Sequence, residues 1–270
     1  MPHTETTSPY RVQVLDRALA VIDALAEDSG GISLAQLSTK LKLHKSTVHR
    51  LVMVLERHRL LEKHSETGRY RLGLKLFELG SRAIAGMDLR ERARPHLQRV
   101  MYETDETVHL CVLDEGEVLY VDKIEPQRSV RMASSVGRRM PVHCTAVGKA
   151  ILAELPASEI EEIVRQHGLR PATRRTVRTP AELSAELAAI RSRGYSIDDE
   201  ENEEGVRCVG AAILDSTGSA VAAISVSGPS FRITKEKVPV VSRSVVAAAQ
   251  AISAQLGYRP RIQATGSSGS

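Results

Sequence analysis

The chain has 270 residues, 42% of them hydrophobic and 26% charged, with a formal net charge of +4. This is the composition of a globular protein with room for two domains of ordinary size. No apolar run approaches the roughly 20 residues that cross a bilayer, and the N-terminal MPHTETTSPYRV lacks a basic-then-apolar signal pattern, so a cytoplasmic location with no membrane partner is expected.

Val14, Leu15, Ala18, Leu19, Ile22 and Leu25 fall at helical spacing, which predicts an amphipathic helix over 11–28. Ser33 reads as the N-cap of a second helix, with Gln36 three residues on as its capping-box partner. That helix is expected to bury Leu34, Leu37 and Leu41. Lys42-Leu43-His44 is the turn, and Lys45 to His58 the next helix. Its apolar positions Val48, Leu51, Val52 and Leu55 form an i, i+3, i+4, i+7 stripe. The opposite face carries Ser46, Arg50, Met53 and Arg57, flanked by Lys45 and His49. Two short strands, 60–64 and 69–72, follow around Ser-Glu-Thr-Gly, where Gly68 supplies the permissive backbone of a tight turn.

Helix, three-residue turn, helix and hairpin, in that order, make a winged helix-turn-helix over 10–73, and its expected partner is duplex DNA. The charge distribution agrees. Residues 40–75 hold 10 Lys/Arg against 3 Glu, with four His. Residues 91–270 hold 23 charges of each sign, so the excess positive charge sits in the N-terminal third, as for a phosphate-binding surface. A helix fits the major groove with side chains near its N-terminus on base edges. Lys45, Ser46, Thr47, His49 and Arg50 are the candidates, with Thr47 nearer the core side. Arg50 can pair bidentately with guanine. Arg57 reads as a phosphate contact, and Lys63, Arg69 and Arg71 of the hairpin suit phosphates beside the groove.

Residues 74–88 form an amphipathic connecting helix ending at Gly86-Met-Asp. A second domain is expected over 89–258, with helices at 89–104, 144–154, 157–167, 181–193 and 235–256, and strands at 107–113, 117–124, 206–214 and 220–227. Mixed helices and antiparallel hairpins make it α+β. The tail 259–270, ending ATGSSGS, is low in complexity and expected to be disordered.

With these segments in view, the chain resembles the IclR family of bacterial transcription regulators over about residues 11–257. The resemblance rests on the helix-turn-helix, the wing ending TGRYRLG at 67–73, GRRMPVHCTAVGKAILA at 137–153, YSIDDEENEEGVRCVGAAI at 195–213 and AAISVSGP at 222–229. It implies a GAF-like C-terminal domain that binds a small organic acid, and a homodimer or dimer of dimers. By that resemblance, one pocket wall is Thr145-Ala146-Val147-Gly148 and the other is formed by Asp198, Cys208, Ser225 and Ser227. Some members carry Gly and Ala where this chain has Ala146 and Val147, so added methyl groups are expected to narrow the pocket or change its ligand. Gly is common in the family where this chain has Lys42. If the turn there requires positive φ, lysine costs on the order of 1 kcal/mol.

The residues have a logic of their own. A helix starting near Cys144 after Pro141 offers N–H groups to an anion. Small residues Ala146 and Gly148 are expected to let a carboxylate approach the backbone. Ser225 and Ser227, two apart on a strand, share one face and make a polar floor. Asp198 is placed to accept from a ligand hydroxyl, and Met132, Met140 and Leu110 are candidates for apolar lining. His143 beside Cys144 is discounted as a nucleophilic pair because adjacent strand residues face opposite ways. Gly148-Lys149 lacks the spacing and the final Ser/Thr of a phosphate loop.

The reading is therefore a ligand-responsive regulator of a metabolic or catabolic operon, repressor or activator, binding a palindromic or pseudo-palindromic operator. Cys111, Cys144 and Cys208 are far apart with no Cys/His ligand spacing, so no cofactor or metal is expected. They also define an alternative, a cysteine-based redox sensor on the same scaffold. An enzyme is disfavoured, since no paired acid/base constellation appears.

Overall fold

A computed structural model describes residues 12–28, 30–85, 89–128 and 132–259, with the side chains of 81–85 left undescribed. It divides into two compact units, Met1–Gly86 and Met87–Ser270. Most of the predicted tail, 260–270, lies outside the described residues.

The N-terminal unit runs α1 (Gln13–Ala26), α2 (Leu34–Leu41), α3 (Lys45–Arg57), β1 (Leu61–Lys63), β2 (Tyr70–Leu72) and α4 (Leu74–Ala85). The Ser33–Gln36 capping box forms in full and starts α2. The stripe Val48, Leu51, Val52 and Leu55 of α3 is buried against Leu37 and Val21. Only Leu37 of the three expected α2 residues is fully buried, Leu34 and Leu41 being half-buried. Of the apolar positions predicted for α1, Leu25 is buried and Ala18 and Ile22 pack half-buried against the core. The helix also buries Val21 and Ala24, while Val14, Leu15 and Leu19 are exposed. The core covers the C-terminal half of the helix and leaves these N-terminal apolar positions open.

Lys42 sits at φ 52°, ψ 41°, in the left-handed region. Its N–H caps α2 on Ser38 O and Thr39 O, and Ser38 Oγ donates to Leu43 O at 2.6 Å. The turn does require positive φ, so lysine carries the cost of about 1 kcal/mol that glycine avoids. The hairpin β1–β2 pairs Leu61 with Leu72 and Lys63 with Tyr70, and an antiparallel bridge from Ile32 to Tyr70 fastens it to the unit.

The C-terminal unit holds α5 (Leu89–Thr104), β3 (Thr107–Asp114), β4 (Glu117–Ile124), β5 (Arg139–Pro141), α6 (Ala146–Glu154), α7 (Ala157–His167), α8 (Pro180–Arg193), β6 (Ser196–Asp199), β7 (Val206–Leu214), β8 (Ala220–Pro229) and α9 (Val238–Gln255). Its six strands form one antiparallel sheet in the order β5-β4-β3-β8-β7-β6. Strand alternation splits the sheet into two chemistries. Val108, Leu110, Val209, Ala211, Ile224 and Val226 face α5 and α9 in one core. The other face meets α6 and α8, where Cys111, Val118, Val147, Ile151, Leu183 and Ala223 form a second core. The helix predicted at 235–256 starts three residues later, at Val238.

Candidate functional site

Two sites emerge, one in each unit. On α3, Lys45, Ser46, His49, Arg50 and Arg57 are exposed on the side away from the buried stripe, and Thr47 is half-buried. The first turn of α3 has no acidic residue, and His44 makes no side-chain cap. The face is therefore basic and open at the helix N-terminus, where unpaired N–H groups favour anions.

The wing residues differ among themselves. Arg71 is exposed and pairs with its cross-strand neighbour Glu62 at 3.1 Å. Arg69 is half-buried and donates to Gly31 O at 2.7 Å, so part of its guanidinium fastens the hairpin to the unit instead of facing outward. Lys63 lies over the Tyr70 ring, 5.7 Å from its centroid.

The second site is a cavity of about 290 Å³ on the α6 side of the sheet. Ala146, Val147, Asp198, Cys208, Ser225 and Ser227, six residues spread over 82 positions of sequence, all line it. Ser225 and Ser227 form the floor on β8, and Cys208 pairs with Ser227 across the β7–β8 ladder. Thr145 is the N-cap of α6; its hydroxyl accepts from Gly148 N at 3.2 Å and donates to Pro141 O at 2.8 Å. The helix thus starts at Ala146, two residues after the predicted Cys144, with its first N–H groups at the cavity wall.

Several expectations are corrected. Gly148 does not open the backbone to a ligand. A Cβ there would lie 2.3 Å from Val142 O and 2.4 Å from Val142 Cα, so its smallness serves the packing of α6 on the preceding turn. Leu110 does not line the cavity. Alternation along β3 sends it to the α5–α9 core, while Met132 and Met140 do line the cavity. His143 and Cys144 do diverge, but on a turn between β5 and α6, not on a strand: His143 Nε2 meets Arg170 O at 3.0 Å, and Cys144 Sγ approaches Asn202 Oδ1 at 3.7 Å.

Asp198 lies on a strand. It is the third residue of β6, is 2% exposed, and its Oδ1 accepts from Glu201 N at 2.8 Å and Asn202 N at 3.3 Å. Burial pushes its pKa up to about 7 despite those two bonds. In the unfolded chain the group releases its proton near the ordinary carboxylate range, so the folded state holds a proton that the unfolded state has lost. Stability from this group is complete below pH 4 and is lost as pH rises toward 7. The wild type is therefore expected to lose stability relative to Asp198→Asn between pH 4 and 7, by up to about 1.4 kcal/mol per unit. Comparison with the variant cancels the histidines that titrate in the same range. Chemical denaturation at a series of pH values tests it; a constant difference between the two proteins would contradict the assignment.

Alternation also reveals residues that sequence reasoning passed over. His109 and Tyr120 face the cavity with their ring centroids 4.8 Å apart. His109 Nε2 lies 2.7 Å from Ser134 Oγ, and Nδ1 lies 3.3 Å from Ser227 Oγ. Burial lowers its pKa to about 3, so the ring is neutral and links the floor to the 132–138 segment. Lys123 Nζ donates to Met132 O and Ser134 O in the same segment. Strand phase could have identified His109 and Tyr120. Ser134 and Arg138 lie outside any periodic element and gave no signal. Arg138 is exposed and is the one cation among the described lining residues.

All three cysteines are buried free thiols. Burial raises Cys111 and Cys208 well above the ordinary thiol range and pushes Cys144 up to about 12. A redox sensor requires an accessible thiolate, so nothing here supports that alternative. Among the described residues no His/Cys/Asp/Glu group is arranged to hold a metal, and no helix is long and apolar enough to cross a membrane.

Residues 81–254 match the family described as bacterial transcriptional regulator IclR C-terminal, and residues 14–65 match the IclR helix-turn-helix domain. The chain is 34% identical over 250 residues to the HTH-type transcriptional regulator KdgR of Escherichia coli, covering 93% of this chain and 95% of that protein. Among solved structures it is similar to the IclR protein of Thermotoga maritima, with a TM-score of 0.78, 36% identity and coverage of 92% and 100% of the two chains. It is also similar to an IclR homologue from Microbacterium hydrocarbonoxydans crystallised with 4-hydroxybenzoate, with a TM-score of 0.81, 27% identity and coverage of 90% and 99%.

Proposed function

This chain belongs to the IclR family of DNA-binding transcriptional regulators, which are not enzymes, and from that premise we propose that it is a cytoplasmic regulator of a metabolic or catabolic operon controlled by a small carboxylate. The observation that carries the ligand reading is the convergence of Ala146, Val147, Asp198, Cys208, Ser225 and Ser227 on one cavity of small-molecule size. A ligand carboxylate would meet the first N–H groups of α6, with the serine hydroxyls as further donors and Asp198 as partner for a ligand hydroxyl. The structural relative that carries 4-hydroxybenzoate supports an organic acid as the ligand class. A thermal-shift screen of organic acids tests this, since a ligand at about 100 times its Kd adds about 2.7 kcal/mol of stability.

On the DNA side, Lys45, Ser46, His49 and Arg50 are the base-reading candidates and Arg57 and Arg71 the phosphate contacts, with Thr47 and Arg69 assigned mainly to holding the unit together. The protein acts as a homodimer or dimer of dimers on a pseudo-palindromic operator, with half-sites roughly 34–36 Å apart. Self-association is supported by apolar side chains the N-terminal unit leaves uncovered: Val14, Leu15 and Leu19 on α1, and Leu74, Phe77 and Leu79 on α4. The ligand acts by favouring one of two arrangements of the DNA-binding units through the 74–86 segment, and its differential affinity for the two sets the size of the response.

Arg50→Ala is expected to lose about 1–3 kcal/mol of operator binding while binding to random duplex changes much less. Paired gel shifts on the two DNAs check this, and equal loss on both would remove Arg50 from base reading.

A further inference from the structure

The centre of the solvent face of α3 carries Ser46, Arg50, Met53 and Arg57, opposite the buried stripe. Three of these suit phosphates and base edges. The fourth is a methionine, 48% exposed, between two arginines one turn away on either side. It belongs neither to the core of the unit nor to the half-buried residues packed on that core. Its flexible thioether side chain adapts to irregular apolar surfaces. In the major groove, thymine is the base that presents a methyl group, at C5. Three residues of α-helix rise about 4.5 Å and successive base pairs about 3.4 Å, so with α3 laid along the groove Met53 would fall about one base step from the pair met by Arg50.

We propose that Met53 is a specificity-determining residue that reads a thymine C5-methyl group next to the base pair contacted by Arg50. The proposal rests on α3 as the reading helix. It gives the half-site a defined grammar, a guanine for Arg50 with a neighbouring thymine whose methyl packs on the Met53 side chain.

The test begins by selecting the preferred duplex from a random pool with the full chain. Each thymine of the selected half-site is then replaced by deoxyuridine, which removes the methyl and nothing else. One position is expected where the wild type loses about fourfold in affinity, the worth of one buried methyl group. At that position Met53→Ala should bind the thymine and uracil duplexes equally, and Met53→Leu should keep a preference for thymine. Because Met53 is exposed, both variants should fold as the wild type, with unchanged circular dichroism. Uracil tolerated at every position, or a thymine preference that survives in Met53→Ala, overturns the proposal. A pool that yields no preferred sequence overturns sequence reading by α3 itself, a different failure.

Discussion

Glu201→Ala is expected to lower the stability of the C-terminal unit by about 3 kcal/mol, because it strands a cation in the interior. Lys149 lies on α6 and is fully buried. Its ammonium donates to Glu201 Oε1 and has Glu186 Oε1 as a second neighbour at 3.8 Å. Glu201 is itself held in place. Its N–H donates to Asp198, and its carbonyl accepts from Thr176 Oγ1 at 2.6 Å. Its Oε2 is buried without a hydrogen-bond partner, and burial raises its pKa even beside the lysine. Removing the whole pair avoids the stranded charge, so Lys149→Met/Glu201→Ala should recover most of the loss. For a unit of this size the single variant should melt roughly 6–12 °C lower. Calorimetry of the wild type, both single variants and the double variant forms the cycle. Additive losses would show that the two side chains are not a coupled pair.

Gly148→Ala is expected to cost about 3 kcal/mol as well, at the upper end for overpacking, because the clash is with main chain. The added methyl would lie 2.3 Å from Val142 O and 2.4 Å from Val142 Cα, main-chain atoms that no side-chain rotation can move away. Relief requires moving the start of α6, which carries Ala146 and Val147 of the cavity wall. The variant should therefore lose both urea resistance and stabilisation by any acid that protects the wild type. Binding to random duplex should persist, since the basic face belongs to the other unit. A midpoint within about 0.5 kcal/mol of wild type would mean that the turn at Val142 gives way easily.

The two halves of the chain were legible to different degrees. In α3, a 3.6-residue period put Val48, Leu51, Val52 and Leu55 inside with no help from distant contacts. The capping box at Ser33 was equally local. α1 was legible in part: Ala18, Ile22 and Leu25 meet the core, but the same spacing continues through Val14, Leu15 and Leu19, and only the fold decides where the cover stops. In the C-terminal unit, β6 was missed because Ser196 and Asp198 are buried by hydrogen bonds, not by apolar character: Ser196 Oγ donates to Ala146 O at 2.6 Å. β5 is three residues ending in proline, below any periodic signal. Lys149 reads as a surface residue until its partner, 52 positions away, is brought beneath α6. The family resemblance supplied Asp198, Cys208, Ser225 and Ser227, and the fold assembles them around one cavity. Gly148 was credited with the wrong neighbour, because a small residue advertises closeness but not to what.

The central strands β3 and β8 alternate between two masters. Val108, Leu110, Ile224 and Val226 belong to the α5–α9 core, while His109, Ser225 and Ser227 face the cavity. The two roles are therefore separated at single-residue resolution along each strand. Substitutions at His109, Ser225 or Ser227 would change the lining of the cavity and leave the α5–α9 core untouched. The cavity lining can thus be altered by point mutation without repacking that core, whereas inserting or deleting one residue in either strand would exchange the two faces at once.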